Sequence, residues 1–148
     1  MSAYNPYLKK AEQYKQNQVE TATPQEILIM LYDGAIRFLV IARKGLEEQN
    51  LEKSHKYLLK AQNIILEFMN SLDMEIGGEM ALNLYRLYEY LHYRLVQANI
   101  KKDVAMIDEV LDHLRNLKVT WEEAIRIANK EGAGDTHDDE AADRAWAG

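Results

Sequence analysis

Proline is nearly absent from this sequence of 148 residues, and this absence constrains the fold more than any other feature. The only prolines are Pro6 and Pro24, so the chain beyond residue 24 has none. Proline is the residue that most strongly interrupts a helix. Glycines occur mainly outside the predicted helical segments, at Gly77-Gly78 and at Gly132 and Gly134, and no segment shows the alternation and turn spacing of a β-sheet. An all-α fold is therefore predicted.

The first long helix has a clear start. Thr23 is predicted to be its N-cap, Pro24 occupies the first helical position, and Glu26 can close a capping box. Residues 27–42 then contain only two charged side chains, so this helix is apolar well beyond one face. Such a helix is either the central element of a core or a surface that binds a partner.

Apolar periodicity predicts an antiparallel up-down four-helix bundle. The predicted helices span residues of about 24–48, 51–72, 79–100 and 104–130. They form one domain, residues 1–130, in which residues 1–20 are a short N-terminal cap segment with a narrow tyrosine stripe. Residues 131–148 are predicted to be a flexible acidic tail.

One apolar seam per helix is enough to build such a bundle. In the first helix, the seam is predicted to follow Ile27, Leu31, Ala35, Phe38 and Ala42, widened by Leu28, Met30, Leu39, Ile41 and Leu46. In the third helix, it is predicted to follow Met80, Leu84, Leu87, Leu91, Leu95 and Ala98, widened by Tyr88. The fourth helix has a single clean seam that includes Leu117 and Trp121, and only Val119 and Ile127 lie off it.

The first three helices carry further apolar residues outside these seams. On the first helix they form a second stripe of Ile29, Ile36 and Val40, bordered by Tyr32. Leu59 and Leu66 lie beside the seam of the second helix, and Tyr85 and Tyr93 lie opposite the seam of the third. A bundle core does not need these residues, so self-association or a partner is expected to bury them.

Composition excludes several classes of function. The formal charge of −6 and the pI near 5.2 argue against a nucleic-acid binder and against docking on an anionic membrane. No cysteine is present, which excludes disulfides and thiolate metal sites. The N-terminus lacks the apolar run of a secretory signal, and no segment is long enough to span a membrane. The chain is therefore predicted to be cytoplasmic.

No feature of the sequence predicts catalysis. It has no phosphate-binding glycine loop, and no Glu-x-x-His pair is predicted on an inner face, where di-iron bundles carry them. The acidic run of the tail is expected to be solvated rather than to bind a metal ion. We therefore expect no catalytic residue, no cofactor and no metal ion.

Several motifs occur together in a characteristic order. The N-terminal set consists of Tyr14, Val19, Thr21-Ala22-x-Pro24-x-Glu26 and Met30-Leu31-Tyr32-Asp33-Gly34-Ala35. The later set consists of Lys60-Ala61-Gln62-Asn63-Ile64-Ile65, Arg94-Leu95-Val96-Gln97-Ala98-Asn99 and Trp121 with Ala124. Together they resemble the flagellin-specific export chaperones of the FliS family over about residues 7–128. Ala11 departs from the family's pattern, which has a larger aliphatic residue at this position.

This resemblance implies a cytoplasmic four-helix bundle whose N-terminal segment can act as a cap. It implies that the chain binds the disordered C-terminal region of flagellin, prevents premature polymerisation and delivers flagellin to the flagellar type III export gate. Combined with the second stripes, it predicts a partner-binding set. Its members are Tyr7, Tyr14, Val19, Ile29, Tyr32, Ile36, Val40, Leu59, Leu66, Tyr85 and Tyr93.

Two alternatives remain open from the residues alone. The same apolar stripes would be buried in a structural homo-oligomer with no client, or in an adaptor that binds another helical protein. The free protein is expected to be a monomer or a weak homodimer, and light scattering would distinguish a stable oligomer from these. An enzyme is the remote alternative.

Overall fold

The computed structural model describes residues 21–132, and four α-helices account for nearly all of them. We name these helices α1 (Pro24–Glu47), α2 (Leu51–Ser71), α3 (Met74–Lys101) and α4 (Val104–Gly132). The connections between them are short, as expected for an up-down bundle. The all-α four-helix prediction is confirmed. Residues 1–20 and 133–148, which include the predicted cap segment and most of the predicted tail, lie outside the described residues.

Each helix begins directly after a side chain that can satisfy its first backbone N–H groups. Thr23 Oγ1 accepts a hydrogen bond from Glu26 N at 3.1 Å, which confirms the predicted N-cap of α1. Asn50 Oδ1 accepts from Lys53 N in the same way at the start of α2. Asp73 caps α3, and Asp103 Oδ1 accepts from the second residue of α4. Local sequence therefore sets where all four helices begin.

Helix α3 begins five residues earlier than predicted and contains a kink. Gly78 has φ 54° and ψ −132°, a backbone conformation that is open essentially only to glycine. The turn before Gly78 is helical but points in a different direction from the rest of α3. The prediction that Met80 begins the core seam is wrong, because its side chain is 60% exposed while Ala81 is buried.

The helices form a ring in which each packs mainly against two neighbours. Helix α1 packs against α2 and α4, and α3 packs against the same two helices from the opposite side. Two ion pairs, Asp33–Lys118 and Arg43–Asp108, show that α1 and α4 run antiparallel. The largest buried side chains lie inside this ring. They are Tyr32, Tyr88, Phe68, Leu39, Leu58, Ile65, Leu91, Leu95, Ile107 and Leu114.

Burial centres the core seam of α1 on Tyr32, with Leu28 and Leu39, which were predicted only to widen the seam. Leu28, Tyr32, Ala35, Leu39 and Ala42 are buried, whereas the predicted seam residues Ile27, Leu31 and Phe38 are only half-buried beside α2. No helix within residues 21–132 is long and apolar enough to cross a membrane.

Candidate partner-binding surfaces

Tyr32 lies at the centre of the bundle and not at the border of a surface stripe. Its side chain has no exposed area, and its ring stacks on Phe68 with the ring centroids 4.5 Å apart. Its hydroxyl lies 2.5 Å from the hydroxyl of Tyr88, which is also fully buried. The prediction that Tyr32 belongs to the partner-binding set is therefore wrong. Tyr32 is a core residue, and its hydroxyl can be buried because it has a buried hydrogen-bond partner.

The two buried tyrosines titrate far from their ordinary range. Burial is the main cause that raises the pKa of Tyr32 to about 12, although hydrogen bonds from Tyr88 and Trp121 act in the opposite direction. Burial also raises the pKa of Tyr88, and the neighbouring Tyr32 hydroxyl raises it further. Both hydroxyls therefore stay neutral at any physiological pH. The cluster is a structural element of the core and not an acid–base site.

The predicted stripe on α1 lies along the groove between α1 and α4. Ile29 and Ile125 line a cleft of about 410 Å³ at one end of this groove. Val40 lines a second cleft at the other end with Leu111 and Arg115. Ile29 and Ile36 pack against the core and are half-buried, so Val40, at 43% exposure, offers the most open apolar surface of the three. We call Ile29, Ile36 and Val40 the α1–α4 surface.

Two ion pairs cross this groove. Lys118 Nζ lies 2.5 Å from Asp33 Oδ1, and Arg43 Nε lies 2.9 Å from Asp108 Oδ1. The hydrogen bond to Asp33, with the carboxylate charge, raises the pKa of Lys118 despite partial desolvation. The apolar positions of the surface therefore lie among charged residues, as expected for a surface that must stay soluble without its partner.

Val119 extends the α1–α4 surface, although it was not predicted to do so. It follows Asp108 by eleven residues, a spacing that places both on the same side of α4. Asp108 contacts α1, and Val119 is 65% exposed. The sequence signal was its position off the seam of α4, but its neighbours on α1 are set by tertiary packing.

Leu59 and Leu66 lie along the groove between α2 and α3. Both occur on the side of α2 that carries His55, at spacings of four and eleven residues. The His55 Nδ1 and Asn99 Nδ2 atoms are 2.8 Å apart, which shows that this side of α2 faces α3. Leu59 and Leu66 are 41% and 39% exposed. These two leucines are the central residues of what we call the α2–α3 surface.

The two predicted tyrosines of α3 differ in their surroundings. Tyr85 lies on roughly the same side of α3 as Asn99, is half-buried and packs against the core. It therefore completes the α2–α3 surface with Leu59 and Leu66. Tyr93 is rotated by about 80° from Tyr85 around the helix axis and is 57% exposed. Tyr93 therefore lies at the outer edge of this surface.

The predicted partner-binding residues do not form one continuous site. The α1–α4 and α2–α3 surfaces share no helix, so they lie on opposite sides of the four-helix ring. Tyr7, Tyr14 and Val19 lie outside the described residues. A single straight helix cannot contact both surfaces, whereas a segment that wraps around the bundle can.

A further apolar cleft between α3 and α4 was not predicted. Its volume is about 560 Å³, and its apolar lining includes Met80, Leu84, Leu87, Leu117 and Trp121. Sequence periodicity assigned all five of these residues to core seams. The kink at Gly78 leaves Met80 at the surface instead.

The described residues show no arrangement for metal or acid–base chemistry. Glu-x-x-His spacings do occur at Glu52–His55 and Glu89–His92, but both glutamates are exposed and His55 contacts Asn99. Within residues 21–132, no group of three His, Asp or Glu side chains could hold a metal ion. The pKa of Glu109 is lowered, chiefly by a hydrogen bond from Tyr90, which is an exposed structural contact.

Comparisons with known proteins identify one family. The model of the family described as flagellar protein FliS matches residues 7–128. A flagellar secretion chaperone FliS from Bacillus subtilis is 38% identical over 90% of this chain and 96% of that protein. One from Salmonella typhimurium is 42% identical over 71% of this chain and 78% of that protein.

A solved structure has the same fold. It is described as the crystal structure of a flagellar chaperone from bacteria, and it matches 82% of this chain and 98% of its own chain with a TM-score of 0.66. At 21% sequence identity, this likeness supports the four-helix architecture alone.

Proposed function

Because this chain belongs to the FliS family of flagellar secretion chaperones, which is not a family of enzymes, we propose that it serves flagellin. Family membership implies a client protein in flagellar export. In our proposal, the client is the disordered C-terminal region of flagellin, which the chain binds in the cytoplasm. Binding prevents premature polymerisation, and the complex is delivered to the flagellar type III export apparatus and its export gate.

The observation that supports this proposal is the exposed apolar surface on two opposite sides of a bundle whose core is already complete. Val40, Leu59, Leu66 and Tyr93 are each more than a third exposed, and the buried core does not need them. Amphipathic helices bind by laying an apolar face in such grooves. A disordered client must bury on the order of 1,000–3,000 Å² to offset its ordering cost. Wrapping both sides of the bundle provides such an area.

The proposed client contacts are the predicted set without Tyr32. On the described part of the chain, they are Ile29, Ile36, Val40, Leu59, Leu66, Tyr85 and Tyr93. The residues around Tyr7, Tyr14 and Val19 are proposed to cover part of this surface when no client is bound and to move when one arrives. The free protein is proposed to be a monomer or a weak homodimer, with no nucleic-acid partner and no stable insertion into a membrane.

Calorimetry with a flagellin C-terminal segment tests the proposal. We expect Val40→Asp and the double variant Leu59→Asp/Leu66→Asp each to weaken binding by about tenfold or more, because a carboxylate cannot be buried against an apolar client face. The matched control is Ile127→Asp. The exposure of Ile127 is similar to that of Val40. Ile127 follows Glu109 by five helical turns, so both residues lie on the same side of α4. Because Glu109 contacts α3, this side lies away from both surfaces.

Circular dichroism must show that each variant retains its helices. Unchanged affinity in both surface variants, or an equal loss in the control, would contradict the proposed site. Failure of the unaltered protein to bind the flagellin segment would contradict the proposed client. A stable oligomer in light scattering that buries these residues without any client would favour the homo-oligomeric alternative.

A further inference from the structure

A pair of aromatic rings lies on the outer face of the α1–α2 interface. Phe38 of α1 and Tyr57 of α2 have ring centroids 5.7 Å apart, and both side chains are half-buried. Each packs against the core on one side and faces outward on the other. The pair lies on neither the α1–α4 surface nor the α2–α3 surface.

Three cationic side chains surround these two rings. Lys60 Nζ lies 5.3 Å from the centre of the Phe38 ring and 5.1 Å from that of Tyr57. Lys56 Nζ lies 5.6 Å from the Tyr57 ring, and the Arg37 guanidinium carbon lies 5.7 Å from the Phe38 ring. These distances are within the range of cation–π contacts, which hold the charges close to the ring faces. We call these five residues the basic–aromatic patch.

Within residues 21–132, no carboxylate forms an ion pair with Arg37, Lys56 or Lys60. Asp33 precedes Arg37 by four residues, a favourable spacing for an ion pair, but it pairs with Lys118 across the α1–α4 groove. Glu48 pairs with Lys44 and Lys53. The patch is therefore a local concentration of positive charge on a protein whose formal net charge is −6.

Two of the positive charges of the patch repel each other along α2. Lys56 and Lys60 are four residues apart on α2, and like charges at this spacing destabilise a helix by about 0.2–0.5 kcal/mol. Both lysines are exposed, so a bound anion can reach them without any rearrangement of the core. An anionic partner would convert this repulsion into attraction.

We propose that the basic–aromatic patch is a docking surface for an acidic peptide segment of a partner protein. Carboxylates of that segment pair with Arg37, Lys56 and Lys60, and an apolar side chain among them packs on the Phe38–Tyr57 rings. The assignment rests on charge complementarity. The patch is positively charged, although the protein as a whole is negatively charged, so it attracts an acidic segment. The proposal does not depend on flagellin being the client.

The size of the patch favours a peptide over an extended polyanion. Lipid-binding clusters usually contain about 4–8 basic residues, and nucleic-acid sites neutralise a row of phosphates. Here there are three cations on a chain that carries 24 acidic residues, which repel a membrane surface or a nucleic-acid duplex. A short acidic segment can contact the patch and leave the rest of the surface free.

A labelled synthetic peptide tests the proposal. The probe has about fifteen residues, mostly Glu and Asp with one central Trp, and its binding is followed by fluorescence anisotropy at low salt, where surface charges are least screened. We expect the Arg37→Gln/Lys56→Gln/Lys60→Gln variant to lose about tenfold or more in affinity, and a peptide with Gln in place of Trp to bind several-fold more weakly.

The matched control is Arg86→Gln/Lys101→Gln/Lys130→Gln. It removes the same number of charges from exposed positions on α3 and α4, so it changes the net charge equally. We expect it to change the affinity by less than about twofold, because separated surface charges are mostly screened. Backbone amide shifts at Phe38 and Tyr57 on titration would place the peptide on the patch.

Three results would overturn the proposal. The first is an equal loss in the two triple variants, which would indicate only a general effect of net charge. The second is tighter binding of single-stranded DNA or anionic vesicles than of the peptide at the patch. The third is a gain of about tenfold in peptide affinity on Asp138→Asn/Asp139→Asn/Glu140→Gln, which would assign the patch to this chain's own acidic segment.

Discussion

At the scale of single residues, the hydroxyl pair of Tyr32 and Tyr88 is the feature that most defines the core. Two phenols 2.5 Å apart, stacked on or beside Phe68, fill the centre of the bundle and satisfy each other's polar atoms. A buried hydroxyl without a partner costs about 1–3 kcal/mol, and the partners of each of these hydroxyls are the other tyrosine and Trp121. This explains why a side chain with a polar tip occupies a fully buried position of α1.

The Tyr88→Phe variant tests this pair. We expect a loss of about 1–2 kcal/mol in the free energy of unfolding, measured with urea at neutral pH, because the Tyr32 hydroxyl loses one of its two buried partners and keeps only Trp121. Tyr93→Phe is the control, since Tyr93 is 57% exposed and should change stability by less than about 0.5 kcal/mol. Equal effects of the two substitutions would contradict the importance of the buried pair.

The raised pKa values predict a loss of stability in alkali. The pKa of Tyr32 is about 12 in the folded protein and near 10.0 when unfolded, and that of Tyr88 is raised in the same direction. The folded state therefore keeps protons that the unfolded chain releases. The contribution of these two tyrosines to the free energy of unfolding is complete below pH 10.0, and it decreases as the pH rises towards their pKa values in the folded state.

Above pH 10.0, each of these tyrosines should lower the free energy of unfolding by about 1.4 kcal/mol per pH unit. Urea titrations at several alkaline pH values measure this slope. In Tyr88→Phe, the slope should be smaller by about one proton's contribution, whereas Tyr93→Phe should keep the slope of the unaltered protein. A slope that Tyr88→Phe leaves unchanged would show that Tyr88 does not titrate in this way.

At the scale of helices, Gly45 determines how closely α1 and α2 approach each other. A Cβ atom at this position would lie 2.9 Å from Ser54 N and 3.1 Å from Asn50 O, both of them backbone atoms that cannot move aside. Gly34, in the same helix, is less constrained, because its nearest neighbour would be the side-chain tip of Ile64 at 3.4 Å. The close approach of α1 and α2 next to their short connection therefore requires a glycine at position 45 but not at position 34.

Alanine substitutions separate these two glycines. Gly45→Ala should lower the free energy of unfolding by about 1–3 kcal/mol, because the new methyl group forces the two backbones apart. Gly34→Ala should be neutral or stabilising by up to about 1 kcal/mol, because alanine favours a helix over glycine and Ile64 can adjust. Thermal unfolding followed by circular dichroism measures both, and the reverse order of stability would contradict this packing.

At the scale of the whole molecule, the two proposed client surfaces lie on opposite sides of the ring. Helix α1 contributes to one and helices α2 and α3 to the other, and the core lies between them. A client that contacts both is held by two sites joined by a linker, so its total affinity exceeds that of either half.

Dividing the flagellin segment into two shorter peptides tests this geometry. Each half should bind about 10²–10⁴ times more weakly than the intact segment, because the effective concentration is lost. One half should respond to Val40→Asp and the other to Leu59→Asp/Leu66→Asp, as measured by calorimetry. A half-length peptide that is equally sensitive to both changes would show that the two surfaces do not act as separate sites.

Much of the secondary structure was determined by local sequence. Thr23, Asn50, Asp73 and Asp103 each hydrogen-bond the first backbone N–H groups of a helix, and such contacts depend on residues only two or three positions apart. The absence of proline after Pro24 and the apolar spacing together predicted four helices. The family resemblance rested on residue identities and was also available from the sequence.

Only the tertiary structure decided which face of α1 lies inside. Helix α1 is apolar nearly all around, so periodicity alone could not distinguish a seam through Leu31 from one through Tyr32. The choice depends on Tyr88, 56 residues away, and on Trp121, because hydrogen bonds with these side chains allow the Tyr32 hydroxyl to be buried. The exposure of Met80 likewise depends on the backbone of Gly78, and the opposite positions of the two surfaces depend on the order of the helices in the ring. These features arise from contacts between distant segments, which local patterns do not encode.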